Sequence, residues 1–524
     1  VTLPEPQREI GAFLARLTGA AAVETHISAV YVGEAAAYKL KKAIRLSFLD
    51  FSAPRTRRDM ARREMVLNSV AAPGIYRGVQ AIRRDRAGAL CLGDADAPDA
   101  LDYVVEMAPI PPGDFIDVIA ARAGLSPALL DGLGDCVAAL HEKLPPVRGW
   151  DSAAHLQAIA EGNALAARQS GLDDTLVVQW LTAIRAAIEA IAPQLAARAA
   201  AGFVRRAHGD LHLGNLCLWQ GKPVAFDMLE FDDALATIDI GYDVAFLLMD
   251  VEHHAGRAAA NRLMNRYLAR TGDVALLVGM PVFLSMRALI RAFVQAARGV
   301  AADAGRYLQT ALAVLQPAPA RLVAIGGLQG TGKTTLARGL APQLGRAPGA
   351  LHLRSDEVRK RQHGVRPEAK LPQSAYSPGA NARVNAAVLD AAGVALRAGQ
   401  AVVADTTFLH HPLRRGIEAV ARDAAVPFTG LWLEVDLPTA LGRVSTRMGD
   451  ASDAGPEVVR AAAAIDPGPI SWPRIDAADG AATLVRARAE IAGLPVHARS
   501  ALGGAPPHST GDAARSPDDE PDHG

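Results

Sequence analysis

Residues 327–334 read Gly327-Leu-Gln-Gly-Thr-Gly-Lys-Thr334, a complete G-x-x-x-x-G-K-[ST] pattern in a chain of 524 residues. Its surroundings decide its meaning. Arg321-Leu-Val-Ala-Ile325 before it reads as a short buried strand, and Leu336 to Leu344 after it reads as an amphipathic helix. A strand that feeds a glycine loop opening a helix aims several backbone N–H groups, and the positive end of the helix dipole, at one point. Gly327, Gln329, Gly330, Thr331, Gly332 and Thr335 are the expected loop contacts. Lys333 is placed to reach the β- and γ-phosphates, and the Thr334 hydroxyl to hold Mg²⁺. The chain is expected to bind a nucleoside triphosphate.

The length calls for two or three domains. Half the residues are hydrophobic and 21% are charged, a globular composition. Lys plus Arg (55) balances Asp plus Glu (55), so no global field recruits nucleic acid or an anionic membrane. Cys91, Cys136 and Cys217 lie far apart without C-x-x-C spacing, which excludes a disulfide framework and fits a reducing compartment. The first residues lack the basic and apolar regions of a signal peptide. The longest apolar run, Val274 to Leu284, contains Pro281, is too short to span a bilayer and reads as a buried helix. A cytoplasmic location is expected.

Pro317-Ala-Pro319 interrupts a helical pattern just before the strand that feeds the glycine loop. It marks a boundary between a domain at 1–316 and one at 320–495. Residues 498–524, with Gly503-Gly-Ala-Pro-Pro and Asp518-Asp-Glu-Pro-Asp522, lack apolar periodicity and read as a disordered tail. In the first domain, β-like runs at 29–32, 37–41 and 103–107 and a helix from Arg57 to Ser69 precede an Ala/Leu-rich helical region from about Pro112 to Ala200. In the second, strands at 321–325, 351–354, 401–405 and 428–435 alternate with helices, the pattern of a parallel sheet covered on both faces.

A second constellation lies at His208-Gly-Asp-Leu-His-Leu-Gly-Asn215, which fits H-x-D-x-x-x-x-N. Phosphoryl transfer to a hydroxyl needs a carboxylate that orients the nucleophile and accepts its proton, and a metal ligand one loop turn away. Asp210 and Asn215 have that spacing. Twelve residues on, Pro223-Val-Ala-Phe226 ends at Asp227, where a second metal ligand belongs. With Asp239-Ile-Gly-Tyr-Asp243, these residues resemble the aminoglycoside phosphotransferase and choline kinase branch of the protein-kinase-like fold. The resemblance implies a two-lobed α+β domain in which Asp210 is the catalytic base and Asn215 and Asp227 hold Mg²⁺. It also implies a phosphate-contacting lysine in Ala37-Tyr-Lys-Leu-Lys-Lys42. Lys39 and Lys41 share a face by the period of two; Lys39 is favoured, with Glu64 as its ion-pair partner. Two departures stand out: there is no G-x-G-x-x-G loop, only Gly33, and Asp227 is followed by Met-Leu.

Three features accompany the glycine loop. Asp356 ends the strand Leu351-His-Leu-Arg354 and could take a hydroxyl proton or cap the helix that follows, with Arg359 one turn later steadying substrate. Asp405 ends Ala401-Val-Val-Ala404 like a Walker B variant supporting Mg²⁺. Arg443 and Arg447, with Asp450 and Asp453, resemble a lid that closes on the transferring group. Residues 320 to about 490 thus resemble an AAA-type P-loop kinase of the kind found in gluconate kinases, polynucleotide kinases and zeta-toxin-like enzymes, an α/β domain with a parallel sheet.

Bland readings cover other residues. His208 and His212 suit hydrogen bonding within their loop rather than a metal pair. His253-His254 and His410-His411 read as solvated, as does the basic face Arg55 to Arg58 with Arg62 and Arg63. Glu230, Asp232 and Asp233 could lend the cleft an acidic character suited to a cationic or hydroxylated acceptor. The expected function is an ATP- and Mg²⁺-dependent phosphotransferase with two nucleotide sites acting on a hydroxyl of a small molecule. The alternative is an ATP-binding regulatory protein whose first half only recognises a ligand. Neither a nucleic-acid partner, a membrane nor an oligomeric state is indicated.

Overall fold

The computed structural model describes residues 3–46, 49–447 and 449–493. The proposed tail at 498–524, and the last residues of 320–495, lie outside the described residues.

The small lobe is a six-stranded antiparallel sheet in the order Val23–Glu24, Ser28–Val32, Ala37–Lys41, Asp102–Met107, Tyr76–Arg84, Leu90–Asp94. Helix Pro54–Ala71 starts on Pro54, whose missing N–H costs nothing in a first turn, and packs against Asp102–Met107 and Tyr76–Arg84. Its basic face is not simply solvated, contrary to expectation. Arg57 is buried and forms a bidentate pair with Asp102 at 2.8 and 2.9 Å, because the helix turns that residue inward over the sheet. Arg58, Arg62 and Arg63 are paired with Asp59, Asp96 and Asp233.

The second lobe is helical, with a hairpin of Leu216–Trp219 and Lys222–Ala225 at its mouth. At its centre lies helix Ile240–Ala255, in which every residue from Ile240 to Val251 is buried. The run Val274–Leu284 is not one helix. It is a 3-10 turn, Val274–Val278, followed at Gly279 by helix Met280–Ala297, with Pro281 in its first turn, the position a helix accepts. That helix is long and apolar enough to cross a membrane by length and composition, but 56% of it is buried inside the fold. His253 is not simply solvated, since it stacks on Tyr307 at 4.5 Å, whereas His254 is exposed as expected, 3.7 Å from Asp250.

The C-terminal half is a five-stranded parallel sheet in the order Leu351–Arg354, Val402–Asp405, Leu322–Gly326, Phe428–Glu434, Arg474–Asp476. Alternation along the central strand separates two cores. Val323 and Ile325 pack with Leu336, Leu340 and Ala487 of helices Lys333–Leu340 and Gly480–Ala492. Leu322 and Ala324 belong instead to a core shared with helices Pro378–Arg397 and His411–Asp423 and continuous with the helical lobe. Each such buried Val, Leu or Ile side chain contributes roughly 1.5–3 kcal/mol relative to exposure. The helix after the glycine loop begins at Lys333 and ends at Leu340, so the expected run to Leu344 is broken by a 3-10 turn at Ala341–Gln343 containing Pro342.

The two halves meet along helix Arg257–Thr271. Asn261 donates to the Ala350 carbonyl at 3.0 Å, the Asn265 side-chain Oδ1 accepts from His352 N at 2.7 Å, and Arg361 donates to the Ala269 carbonyl at 3.1 Å.

Candidate active sites

In the N-terminal half, strand Ala37–Lys41 and helix Pro54–Ala71 place two lysines on one carboxylate. Glu64, fully buried, takes Lys39 on one oxygen and Lys41 on the other, each at 2.7 Å. Beyond that shared partner the lysines diverge: Lys39 also contacts Asp227, while Lys41 contacts Glu230. Burial alone would push Glu64 up, but the two ammonium groups outweigh it and hold its carboxyl down at about 2. Lys39 is correspondingly raised, with Asp227 and Glu64 overcoming its burial. Both lysines face the same way, as the period of two requires, and only Lys39 reaches Asp227.

Asp227 has φ of +61°, in the left-handed region that non-glycine residues rarely adopt. Two groups hold it there: its N–H donates to the Tyr76 hydroxyl at 3.0 Å, and the N–H of Met228 donates to the Asn68 side chain at 2.9 Å. Such a strained residue persists where its surroundings over-determine it, a situation concentrated at functional sites. The Asp227 side chain is 37% exposed, whereas Glu64 beside it is closed off.

The loop 208–215 is tied to helix Ile240–Ala255. Asp243 accepts from the N–H groups of His208 (2.7 Å) and Gly209 (2.9 Å), and Asp250 accepts from Leu213 N at 2.9 Å. The spacing of seven puts both acids on one helix face beneath the loop. His208 is kept neutral by burial and uses both ring nitrogens, toward the Phe226 carbonyl at 2.9 Å and from Asp210 N at 3.3 Å. His212 accepts from Gly214 N at 3.1 Å on Nδ1, leaving Nε2 3.6 Å from Asp210. Asn215 donates to the backbone carbonyl of Asp210 at 2.9 Å and to its carboxylate at 3.1 Å. Burial would raise Asp210, but the His212 hydrogen bond and charge hold it below the usual carboxylate range. Its side chain is still 44% exposed, open to a reactant.

The nearby acids do not make the cleft acidic as expected. Glu230 is buried against Lys41, Asp233 is paired with Arg63 and Arg206, and Asp232 caps helix Asp233–Ala236. Pairing in three dimensions cancels charges that look free in one.

In the C-terminal half, Gly330 and Gly332 have φ of +85° and +88°. A Cβ on Gly330 would lie 2.5 Å from the Ala440 carbonyl oxygen, so glycine is required there for both conformation and space. The loop curls on itself: Thr331 Oγ1 and Lys333 Nζ both donate to the Leu328 carbonyl at 2.8 Å, and Gln329 Oε1 is buried without a partner. Gly327 N donates to the Thr407 carbonyl, which fastens the loop to the strand end. Lys333 is lowered by burial.

Thr334 Oγ1 donates to Asp405 at 2.6 Å, joining the start of one helix to the end of the neighbouring strand. Asp405 also faces His352 at 3.4 Å and Arg354 at 3.7 Å; burial is outweighed and it stays well below the usual carboxylate range. Asp356 is the second residue of helix Ser355–Gln362, whose N-cap is Arg354, so it caps nothing; burial pushes its carboxyl up. Arg359, by contrast, is buried elsewhere, donating to the Ala375 carbonyl at 2.7 Å and lying over the Tyr376 ring at 4.6 Å. Arg443 is engaged by the Gly330, Ala477 and Ala478 carbonyls, and Arg447 reaches Ser452 and Ala454 and lies 3.7 Å from Asp450. Thr335 is exposed and outside this set.

Sequence reasoning missed Arg354 and His352. Arg354 joins Asp450 (3.0 Å), Glu357 (3.0 Å) and Asp405, so it links the segment after Arg447 to the strand end. Its only sequence signal is a charged residue in an apolar strand. Asp453 turns to Lys360 and Tyr376 instead.

Residues 48–277 match the model of the phosphotransferase enzyme family, and residues 322–465 match the model of the AAA domain. The chain is a kinase, with a phosphotransferase-family domain followed by an AAA-type P-loop domain. An uncharacterized protein of Mycobacterium tuberculosis is 28% identical over 462 residues, covering 84% of this chain and 89% of that protein, and one of Mycobacterium bovis matches equally. Among solved structures, a choline kinase from Cryptosporidium parvum aligns at 12% identity over 56% of this chain and 87% of its own, with a TM-score of 0.37. A gluconokinase from Sinorhizobium meliloti aligns at 19% identity over 36% of this chain and 97% of its own, with a TM-score of 0.24.

Proposed function

We propose that the chain is an ATP- and Mg²⁺-dependent phosphotransferase with two nucleotide sites, one in a domain at 1–316 and one in a domain at 320–495, acting on a hydroxyl of a small molecule. The observation that carries this reading is a duplicated arrangement. Lys39 meets Asp227, Asn215 meets Asp210, and the Phe226 N–H to Asn215 carbonyl bond at 3.0 Å joins the two pairs; in the second half Thr334 meets Asp405 beside Lys333.

In the first site Asp210 orients the acceptor hydroxyl and takes its proton as the new O–P bond forms. The bond from the γ-phosphorus to its bridging oxygen breaks, and ADP leaves. Lys39, aimed by Glu64, steadies the phosphates. Asn215 and Asp227 fit a cation, because Asn215 presents its NH₂ to Asp210 and so leaves its amide oxygen available. In the second site the amides of 327–335 and Lys333 cradle the phosphates, Thr334 and Asp405 fit a cation, and Asp356 is the acceptor-side base. Arg447 and Arg354 line the phosphoryl side, whereas Arg359 and Arg443 support the scaffold. Mg²⁺, when bound, offsets negative charge on the transferring group.

The test is equilibrium binding of an ATP analogue, together with an ATP-consumption screen over amino sugars, sugars, nucleosides and choline-like alcohols. Wild type, Asp210→Ala and Lys333→Ala are run in parallel. Two binding sites, one lost in Lys333→Ala, support the reading. A single site lost in that variant, with product formation unchanged in Asp210→Ala, would reduce the first half to a recognition module.

A further inference from the structure

A cavity of about 330 Å³ lies at the seam between the two halves, and none of Lys39, Asp210, Asn215, Asp227, Lys333, Thr334 and Asp405 lines it. The phosphotransferase domain supplies an apolar side from Leu125 and Leu130, and Arg262 of helix Arg257–Thr271. The P-loop domain supplies Arg338 and His352. Its size falls in the small-ligand range of about 300–1,000 Å³, and domain interfaces are where such sites concentrate.

The charged side chains lining it are paired, with one exception. Asp131 is paired with Arg262 at 2.5 Å, and Glu357 with Arg354 at 3.0 Å. Arg266 is engaged by Asp135 at 2.7 Å and by Glu368. Arg338 alone of these forms no hydrogen bond or ion pair among the described residues. Arg338 lines the cavity as an exposed side chain with no partner among those residues, open to an incoming anion. A planar guanidinium without a partner, next to an apolar wall, matches a carboxylate or phosphate group attached to an apolar body.

His352 also lines the cavity. The N–H of that residue is held by Asn265 of the phosphotransferase domain, and its ring faces Asp405, the partner of Thr334 in the glycine loop. One residue thus touches the cavity, the seam and the second nucleotide site.

We propose that this cavity binds a small organic oxyanion, a phosphate or carboxylate with an apolar body, and that its occupancy alters nucleotide affinity at loop 327–335 through His352.

The test is calorimetric titration of the full chain with phenyl phosphate and with benzoate, which separate the two oxyanion sources, and with phenol as the neutral control. One or both anions should bind and phenol should not. Binding should weaken at least tenfold in Arg338→Ala and less in Arg338→Lys. It should be lost in Leu130→Trp, which fills the cavity. Arg338→Ala should keep the wild-type circular dichroism and melting temperature, because Arg338 has no partner to lose. By reciprocity of coupling, a saturating anion should also shift the Kd for an ATP analogue at loop 327–335, and Arg338→Ala should erase that shift. Absence of binding to wild type, equal binding in Arg338→Ala, or strictly competitive displacement of the anion by MgADP, with no ternary complex at saturation, would overturn the site. An unchanged Kd for the ATP analogue would overturn the coupling.

Discussion

The two proposed nucleotide sites of this chain are built by opposite means. The one at Asp210 collects side chains from five separated positions, 39, 64, 210, 215 and 227, and holds them with buried ion pairs and a strained backbone at Asp227. The one at Lys333 is mostly a single run of nine residues whose backbone does the work, closed by one carboxylate from the neighbouring strand. Stability and chemistry are therefore coupled in the first and nearly separable in the second. Removing one member of a buried ion pair leaves a charge without compensation, whereas a half-buried side chain held by a single bond to a carbonyl can be removed with less effect on folding.

Four experiments would sharpen or break that contrast. The largest effect is expected from Asp210→Asn. It should cost the first site about 10²–10⁴-fold in phosphoryl transfer, the usual worth of a positioned base, while leaving turnover at the second site unchanged. A labelled-phosphate assay in which both activities fall together would make the two sites one.

Next, Lys41→Met should destabilise the fold by about 3–5 kcal/mol, since Glu230 and Glu64 stay buried after losing a cation. Lys333→Met should change unfolding by no more than about 1 kcal/mol, because it loses a single bond to a carbonyl. Equal shifts in denaturant unfolding would contradict the contrast directly.

Gly330→Ala is expected to act only on the second site. The left-handed conformation alone costs an alanine about 1–2 kcal/mol, and the methyl meets the Ala440 carbonyl. Nucleotide affinity there should fall while affinity at the first site holds, as read by binding of an ATP analogue.

The smallest effect concerns pH. Glu64 is held at about 2 in the fold against an ordinary value of 4.5, so it contributes stability above 4.5 that disappears as pH falls toward 2. The difference in melting temperature between wild type and Glu64→Gln should be constant from pH 7 to about pH 5 and shrink on further acidification. A difference that grows on acidification would mean that the lysines do not set the state of Glu64.

Much of the molecule was legible before any coordinates. The parallel sheet follows from apolar strands alternating with helices, and four of its five strands lie where the pattern puts them. The histidine at 208 and the acid at 210 could be read as one unit because their spacing within the loop is local, whereas Asp243, 35 residues on, entered only through the family resemblance. The errors have a common source. Arg57 looks solvated within its own helix, Glu230 and Asp233 look like free acids within their own loop, and Arg359 looks like a phosphate ligand one turn from Asp356. Each is assigned otherwise by a partner more than fifteen residues away: Asp102, Lys41, Arg206 and Ala375.

What sequence alone determined is the glycine loop with its flanking strand and helix, and the catalytic-loop spacing from His208 to Asn215. Both are short-range patterns in which neighbouring residues dictate backbone shape. What only tertiary structure decided is which lysine meets Asp227, the bridge from Arg354 to Asp450, and the seam that leaves Arg338 facing a cavity beside His352. Those depend on charges meeting across tens to hundreds of residues, where burial rather than proximity in the chain selects the partner.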